Sequence, residues 1–257
     1  MPELPDLQVI CNNLNKKYSN QKLKSLYFDD KAKTNENLDK YNELLLGKTI
    51  VGISRYGKEI KIDFESGHYI MLHLMREGEL HDNEYNVKNA VFKMIFHNND
   101  VLIMSDFMKQ AKITLDPTLP LVPDPFDDSF TYEYLKERLK NKRKTKVKAF
   151  LIDQKNILGI GNAYADEILW ESRISPESLC GNLPDNIIYD LFESVKKVLK
   201  TAVDTINSIS PNIISGEIRD FLVVHNKNLQ NSPTGHKIIV QKIGGKTTYF
   251  TDEQIKY

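Results

Sequence analysis

Gln154-Lys155-Asn156-Ile157-Leu158-Gly159-Ile160-Gly161-Asn162-Ala163-Tyr164-Ala165-Asp166-Glu167-Ile168 leads from a tight glycine loop into a helical pattern. The glycines allow close backbone approach, and Asn162 stands at the N-cap position of the helix that follows. First-turn N–H groups and the helix dipole make such a start attractive to an anion. Taken alone, the same Gly-x-Gly-Asn also closes an ordinary helix–turn–helix corner. Just upstream, Lys136, Arg138, Lys140, Lys142, Arg143, Lys144, Lys146 and Lys148 are opposed only by Glu137. Such a run reads equally as a phosphate-binding face or as a solvated connection between helices.

Working outward, helical spacing predicts helices over 131–140, 145–153, 163–172, 185–207 and 215–224. The fourth carries an apolar stripe from Ile188 and Leu191 through Val195 and Leu199 to Ile206. The tail alternates again over 236–242 and 247–250, and Gly244-Gly245 between the two runs is a hairpin signal. Toward the amino terminus, 116–129 holds four prolines and the acidic cluster 124–128, which reads as a linker. Before it, β-rich runs at 50–53, 60–64, 69–74, 91–96 and 101–104 predict an antiparallel sandwich or barrel. A helix is expected over 6–18, with Leu7, Ile10, Leu14 and Tyr18 on one face. The expected fold class is therefore α+β.

The 257 residues contain 35 basic and 35 acidic side chains, so polyanion binding must come from segregated charge. Cys11 and Cys180 are too few for a disulfide framework or a cysteine-rich zinc site. No apolar run approaches the roughly 20 residues of a membrane span, and the start lacks the pattern of a signal peptide. A soluble, cytoplasmic protein with no membrane partner is expected.

Three segments together, Met1-Pro2-Glu3-Leu4-Pro5-Asp6, Tyr56-Gly57-Lys58 and Gly159 through Glu167, resemble the formamidopyrimidine-DNA glycosylase / endonuclease VIII family in order and spacing. The resemblance covers essentially the whole chain. It implies an N-terminal β-sandwich catalytic domain with a leading helix over 1–115, a linker over 116–130 and a helix–two-turn–helix DNA-binding domain over 131–226. A finger-like β-hairpin over 227–257 completes it. It further implies a bifunctional DNA glycosylase/abasic-site lyase of base excision repair, acting as a monomer on double-stranded DNA with damaged bases or abasic sites.

Removal of Met1 would leave Pro2 with a free secondary amine, and α-amino groups titrate near 7.7–8.0, leaving part of the population unprotonated at neutral pH. The resemblance makes that amine the nucleophile at C1′ of the deoxyribose, with β,δ-elimination to follow. It makes Glu3 the carboxylate that moves protons and Lys58 a catalytic lysine on the lesion-side phosphate. Asn162 and Lys246 would grip flanking phosphates, and Tyr164 and Arg219 are further candidate DNA contacts.

Several positions depart from the family pattern. Asn231, Thr234, Thr251 and Gln254 stand where a four-cysteine zinc finger is usual, so no metal and no other cofactor is expected. Lys246 replaces the finger arginine, keeping the charge and losing the bidentate fork. His73-Leu74-Met75-Arg76-Glu77-Gly78 leaves Met75 or Arg76 to fill the gap of a flipped nucleotide. Asp106-Phe107-Met108-Lys109-Gln110-Ala111 lacks the usual probing arginine and phenylalanine, with Phe107, Met108 or Lys109 as substitutes. The short segment from Ile218 to Ser232 also argues against 8-oxoguanine specificity. The competing expectation is a non-catalytic binder of damaged or unusual DNA on the same scaffold.

Overall fold

A computed structural model describes residues 1–84 and 86–257, and the chain divides into two compact units. Unit one is Met1–Pro120 with Ile206–Glu217, and unit two is Leu121–Thr205 with Ile218–Tyr257.

Unit one begins with α1, Leu4–Tyr18, two residues earlier than its apolar spacing suggests. Pro5 fits the first turn, where no N–H partner is needed, and Glu3 and Asp6 close a reciprocal capping box. Leu7, Ile10, Leu14 and Tyr18 are buried at helical spacing. Among the described residues nine strands follow where five were expected, in two sheets ordered β1-β7-β8-β6 and β2-β9-β5-β4-β3. The first holds β1 (Leu23–Phe28), β6 (Glu79–Asp82), β7 (Ala90–Phe96) and β8 (Val101–Ser105). The second holds β2 (Lys33–Thr34), β3 (Ile50–Tyr56), β4 (Glu59–Phe64), β5 (Tyr69–His73) and β9 (Lys112–Leu115). All pairings are antiparallel except β2 with β9. A short helix α2, Leu38–Leu45, capped by Asn37, was also not anticipated. The missed elements are short, and four-residue strands carry too little alternation to stand out.

Alternation decides which strand faces are buried. In β4, Ile60, Ile62 and Phe64 point into one core with Leu7, Ile10 and Leu14 of α1 and Phe92, Met94 and Leu102 of the other sheet. The sheets therefore form the expected sandwich, with α1 packed into its core.

Unit two holds α3 (Tyr132–Asn141), α4 (Val147–Ile152), α5 (Asn162–Glu171), a 3₁₀ turn at Cys180–Asn182 and most of α6 (Asp185–Ile209). Thr131 caps α3, accepting from the Tyr134 amide at 3.1 Å. The tail forms β10 (Ile239–Ile243) and β11 (Lys246–Phe250). Ile243 faces Lys246 across a two-residue turn in which Gly244 and Gly245 have φ of 58° and 75°. Both values lie in the left-handed region that side chains resist, hence the Gly-Gly pair.

The helix expected over 215–224 is absent. Gly216 turns with φ of 85°, and the amides of Val223, Val224 and His225 donate to the Glu167 carboxylate at 2.9, 2.9 and 2.7 Å. A buried carboxylate has taken the donors that helical carbonyls would have used. Among the described residues no helix is long and apolar enough to cross a membrane.

Candidate active site and nucleic-acid interface

In unit one the capping box fixes Glu3, whose N–H donates to Asp6 Oδ2 at 2.9 Å, and buries both residues at the head of α1. Pro2 is buried beneath Met1, whose ammonium pairs with Glu217 Oε2 at 3.1 Å. While Met1 remains, the Pro2 nitrogen is an amide and not a nucleophile. Lys58 occupies the two-residue turn between β3 and β4, where Tyr56 faces Glu59. Arg55 ties that turn to α1, with Nε donating to Gln8 Oε1 and Nη1 to the Gly57 carbonyl, both at 3.1 Å. Nothing in the local sequence pattern marks Arg55 for this brace, which joins positions 47 residues apart.

His73 ends β5, and its Nδ1 accepts from the Met75 amide at 2.9 Å. Burial, with the cations of Lys112 and Lys58 nearby, pushes the imidazole down to about 4. His73 is thus neutral at physiological pH with its proton on Nε2, and it brings Lys58 and Met75 into one neighbourhood. Met75 sits half-buried at a φ of 55°, and Arg76 next to it is exposed. A Cβ on Gly78 would lie 2.2 Å from the Leu74 carbonyl oxygen, so this turn requires glycine.

The other candidate loop is organised by Asp106. Its buried carboxylate accepts from the amides of Met108, Gln110 and Ala111 at 2.8, 2.6 and 2.7 Å. Lys109 is drawn to Asp29 at 2.7 Å, whereas Phe107 is 80% exposed and Met108 48%. Of the three substitutes, Phe107 and Met108 present the open apolar surface.

In unit two the N-cap of α5 is Gly161, so Asn162 is its first helical residue rather than the cap. Asn162 Nδ2 donates to the Thr247 carbonyl at 2.9 Å, binding α5 to the tip of the β10–β11 hairpin. Lys148, 2% exposed, pairs with Asp166 Oδ1 at 2.7 Å and donates to Thr248 Oγ1 at 2.7 Å. Asp166 Oδ2 accepts from the Tyr249 amide at 2.9 Å and lies 2.7 Å from His225 Nδ1. Exposed Lys246 stands beside this tip.

Tyr164 is fully buried, which corrects its expected DNA contact. The guanidinium of Arg219 lies 4.9 Å from the centre of its ring, so Tyr164 supports Arg219 from below. The basic run is partly internal. Lys136 pairs with Asp185 at 2.7 Å, Lys146 with Glu177 at 3.0 Å, and Arg138 donates to the Lys155 carbonyl at 2.7 Å. With Lys148 buried, the cations left outward are Lys140, Lys142, Arg143 and Lys144.

The four positions of the implied zinc site do not fit a metal. Gln254 Oε1 accepts from the Thr251 amide at 2.9 Å, and Gln254 Nε2 donates to the Ile174 carbonyl at 2.8 Å. The hydroxyls of Thr234 and Thr251 donate to Glu253, while Asn231 offers only a neutral amide. Neutral amides and hydroxyls already used in hydrogen bonds offer none of the thiolate or imidazole that zinc prefers.

The sandwich led by a capped helix and the helical unit are the two parts that domain models of a DNA-repair glycosylase class match. Residues 1–113 match the Formamidopyrimidine-DNA glycosylase N-terminal domain and residues 121–212 the Formamidopyrimidine-DNA glycosylase H2TH domain. The formamidopyrimidine-DNA glycosylase of Mycoplasma genitalium is 31% identical, over 97% of this chain and 94% of its own. Among solved structures, a complex of the Lactococcus lactis Fpg with DNA containing an abasic site is similar at a TM-score of 0.86. It is 27% identical, covering 97% of both chains. A complex of the same Lactococcus lactis protein with DNA containing an oxidised pyrimidine matches at 0.87 and 28% identity, over 97% of this chain and 98% of that one. The chain belongs to the formamidopyrimidine-DNA glycosylase family. It is a DNA glycosylase of base excision repair with abasic-site lyase activity, and the non-catalytic alternative is not favoured.

Proposed function

We propose that the chain acts once Met1 is removed, with the Pro2 nitrogen as nucleophile on damaged duplex DNA. Its lone pair forms a bond to C1′ as the C1′–base bond breaks and the base departs with a proton. The Glu3 carboxylate takes the proton that the Pro2 nitrogen gives up and passes it to O4′ as the sugar ring opens. This leaves an iminium between Pro2 and C1′, while the departing base takes its proton from water. The iminium acidifies C2′, so loss of a C2′ proton lets the 3′-phosphate leave, and a second elimination releases the 5′-phosphate. Water then frees the amine. The observation that carries this is the brace: the capping box holds Glu3 next to Pro2, and Arg55 ties the same helix to the turn bearing Lys58.

Lys58 would hold the lesion-side phosphate. Asn162, Lys246 and Arg219 would hold the backbone from unit two, and Met75 or Arg76 would fill the space of the extruded nucleotide. Phe107 and Met108, rather than Lys109, would probe the opposing strand, because Lys109 is held by Asp29. Oxidised bases other than 8-oxoguanine are the favoured substrates. The protein works without a metal, as a cytoplasmic monomer. Incision of duplexes carrying an abasic site, a formamidopyrimidine or an oxidised pyrimidine tests this. Met1-free protein should cut all three, and protein with an acetylated amino terminus none. Equal cutting by both forms would remove Pro2 from its role.

A further inference from the structure

Where the metal would stand, donors from three segments converge on one carboxylate. Thr234 Oγ1, Thr251 Oγ1, Ser232 Oγ and Trp170 Nε1 lie 2.7, 3.1, 3.3 and 3.4 Å from Glu253 Oε2. Arg173 Nη1 lies 3.0 Å from Oε1. Ser232 and Thr234 precede β10, Thr251 follows β11, Trp170 lies in the last turn of α5 and Arg173 two residues past its end. Thr234 and Thr251 are themselves two of the four positions that the resemblance assigns to zinc. The two threonine hydroxyls make the short contacts, the serine and indole are longer, and the arginine adds an ion pair; bonds to a charged acceptor are the stronger kind.

We propose that Glu253 does the metal's work: its carboxylate clamps both limbs of the β10–β11 hairpin to α5 and so positions Lys246 on the DNA backbone. Asn162 and Lys148 hold the tip of the hairpin, and Glu253 holds its base. The contacts with Ser232, Thr234 and Thr251 close the two limbs on each other. Those with Trp170 and Arg173 must come apart before the base can swing from α5, which is how a small β-hairpin, marginal alone, stays ordered. The charged and titratable groups facing the carboxylate are Arg173 just past α5 and His236, whose Nε2 is 3.9 Å from Oε1 and whose Nδ1 is held by Asp252 at 2.7 Å. Burial raises the Glu253 carboxyl, but the hydroxyls of Thr234 and Thr251 with the cations of Arg173 and His236 win, holding it down to about 2. The clamp is therefore charged at every working pH.

The inference rests on the hairpin being a DNA-gripping element. The test is binding and cleavage of an abasic duplex across a salt series, by the full chain, for wild type, Glu253→Gln and Glu253→Ala. Loss of one lysine–phosphate contact weakens binding roughly tenfold and lowers the slope of log affinity against log salt by about one. That loss is expected for Glu253→Ala, falling on KM rather than kcat, with a smaller loss for Glu253→Gln. Amide exchange over 239–250 should quicken in step, and a strong zinc chelator should leave the wild type unchanged. A purely structural defect would lower the active fraction without moving the salt slope. Should Glu253→Ala fail to fold, Thr234→Val with Thr251→Val removes two of the same donors and must show the same slope change. An unchanged slope in a folded variant, or wild-type binding that collapses on chelation, overturns the proposal. Wild type that neither binds nor cuts the duplex would instead overturn the reading of the hairpin as a DNA grip.

Discussion

In unit one, β8 buries Val101, Leu102, Ile103 and Met104 in succession between two neighbouring strands, and its contacts are apolar. In unit two, the equally buried middle of α5 carries Asp166 and Glu167, which face Lys148, His225 and a row of backbone amides. The first arrangement gains stability from area removed from water and tolerates volume-conserving changes. The second depends on every partner being present, because a buried charge left alone is costly. Both solutions suit their tasks. The sandwich gains rigidity from its apolar core, whereas the hairpin has little apolar area of its own and is fastened by directional bonds.

The largest test of this contrast is Lys148→Met, which strands Asp166 in the interior and should cost about 3–5 kcal/mol. Trp170, the chain's one tryptophan, lies in unit two and reports its unfolding in urea. Adding Asp166→Leu to the first change should recover a large part of the loss. If the double variant is as damaged as the single one, the pair is not what holds that region. Next, Leu102→Ala should cost about 2–5 kcal/mol through a cavity, with no dependence on pH between 5 and 8 when followed by circular dichroism. A cost that changed with pH there would mean that the cavity is coupled to a titrating group.

The smallest effect belongs to His73. Its folded value of about 4 lies below the ordinary 6.5, so the folded state resists protonation that the unfolded chain accepts. Its contribution to stability is full above about 6.5 and declines as pH falls from there to about 4. His73→Gln should flatten that decline, and the wild-type His73 ring signal in NMR should stay still between pH 7.5 and 5.5. A midpoint near 6.5 would place the ring in solvent and dissolve the cluster with Lys58 and Met75.

The same contrast explains what could be read in advance. Short β-rich apolar runs exposed β3, β4, β5, β7 and β8, the apolar stripe gave α1, and Gly244-Gly245 gave the hairpin, since these are signals of nearest neighbours. Asp166 and Tyr249, or Trp170 and Glu253, meet across 83 residues, and no local period marks such pairs. Lys148 was legible only as one more cation in a basic run. The helix expected over 215–224 failed for the same reason, since Glu167, far away in the chain, captured its amides. Pro2, Glu3 and Lys58 could be named from their motifs, but the Arg55 brace between them needed coordinates.

The claim on which the mechanism stands is the identity of the nucleophile. Borohydride reduction on an abasic duplex, followed by nuclease and protease digestion and mass spectrometry, locates the residue that carries the sugar. A reduced adduct on the nitrogen of an amino-terminal Pro2, in a chain lacking Met1, is the expected result. An adduct on Lys58 or another lysine, or on a chain still bearing Met1, would contradict it.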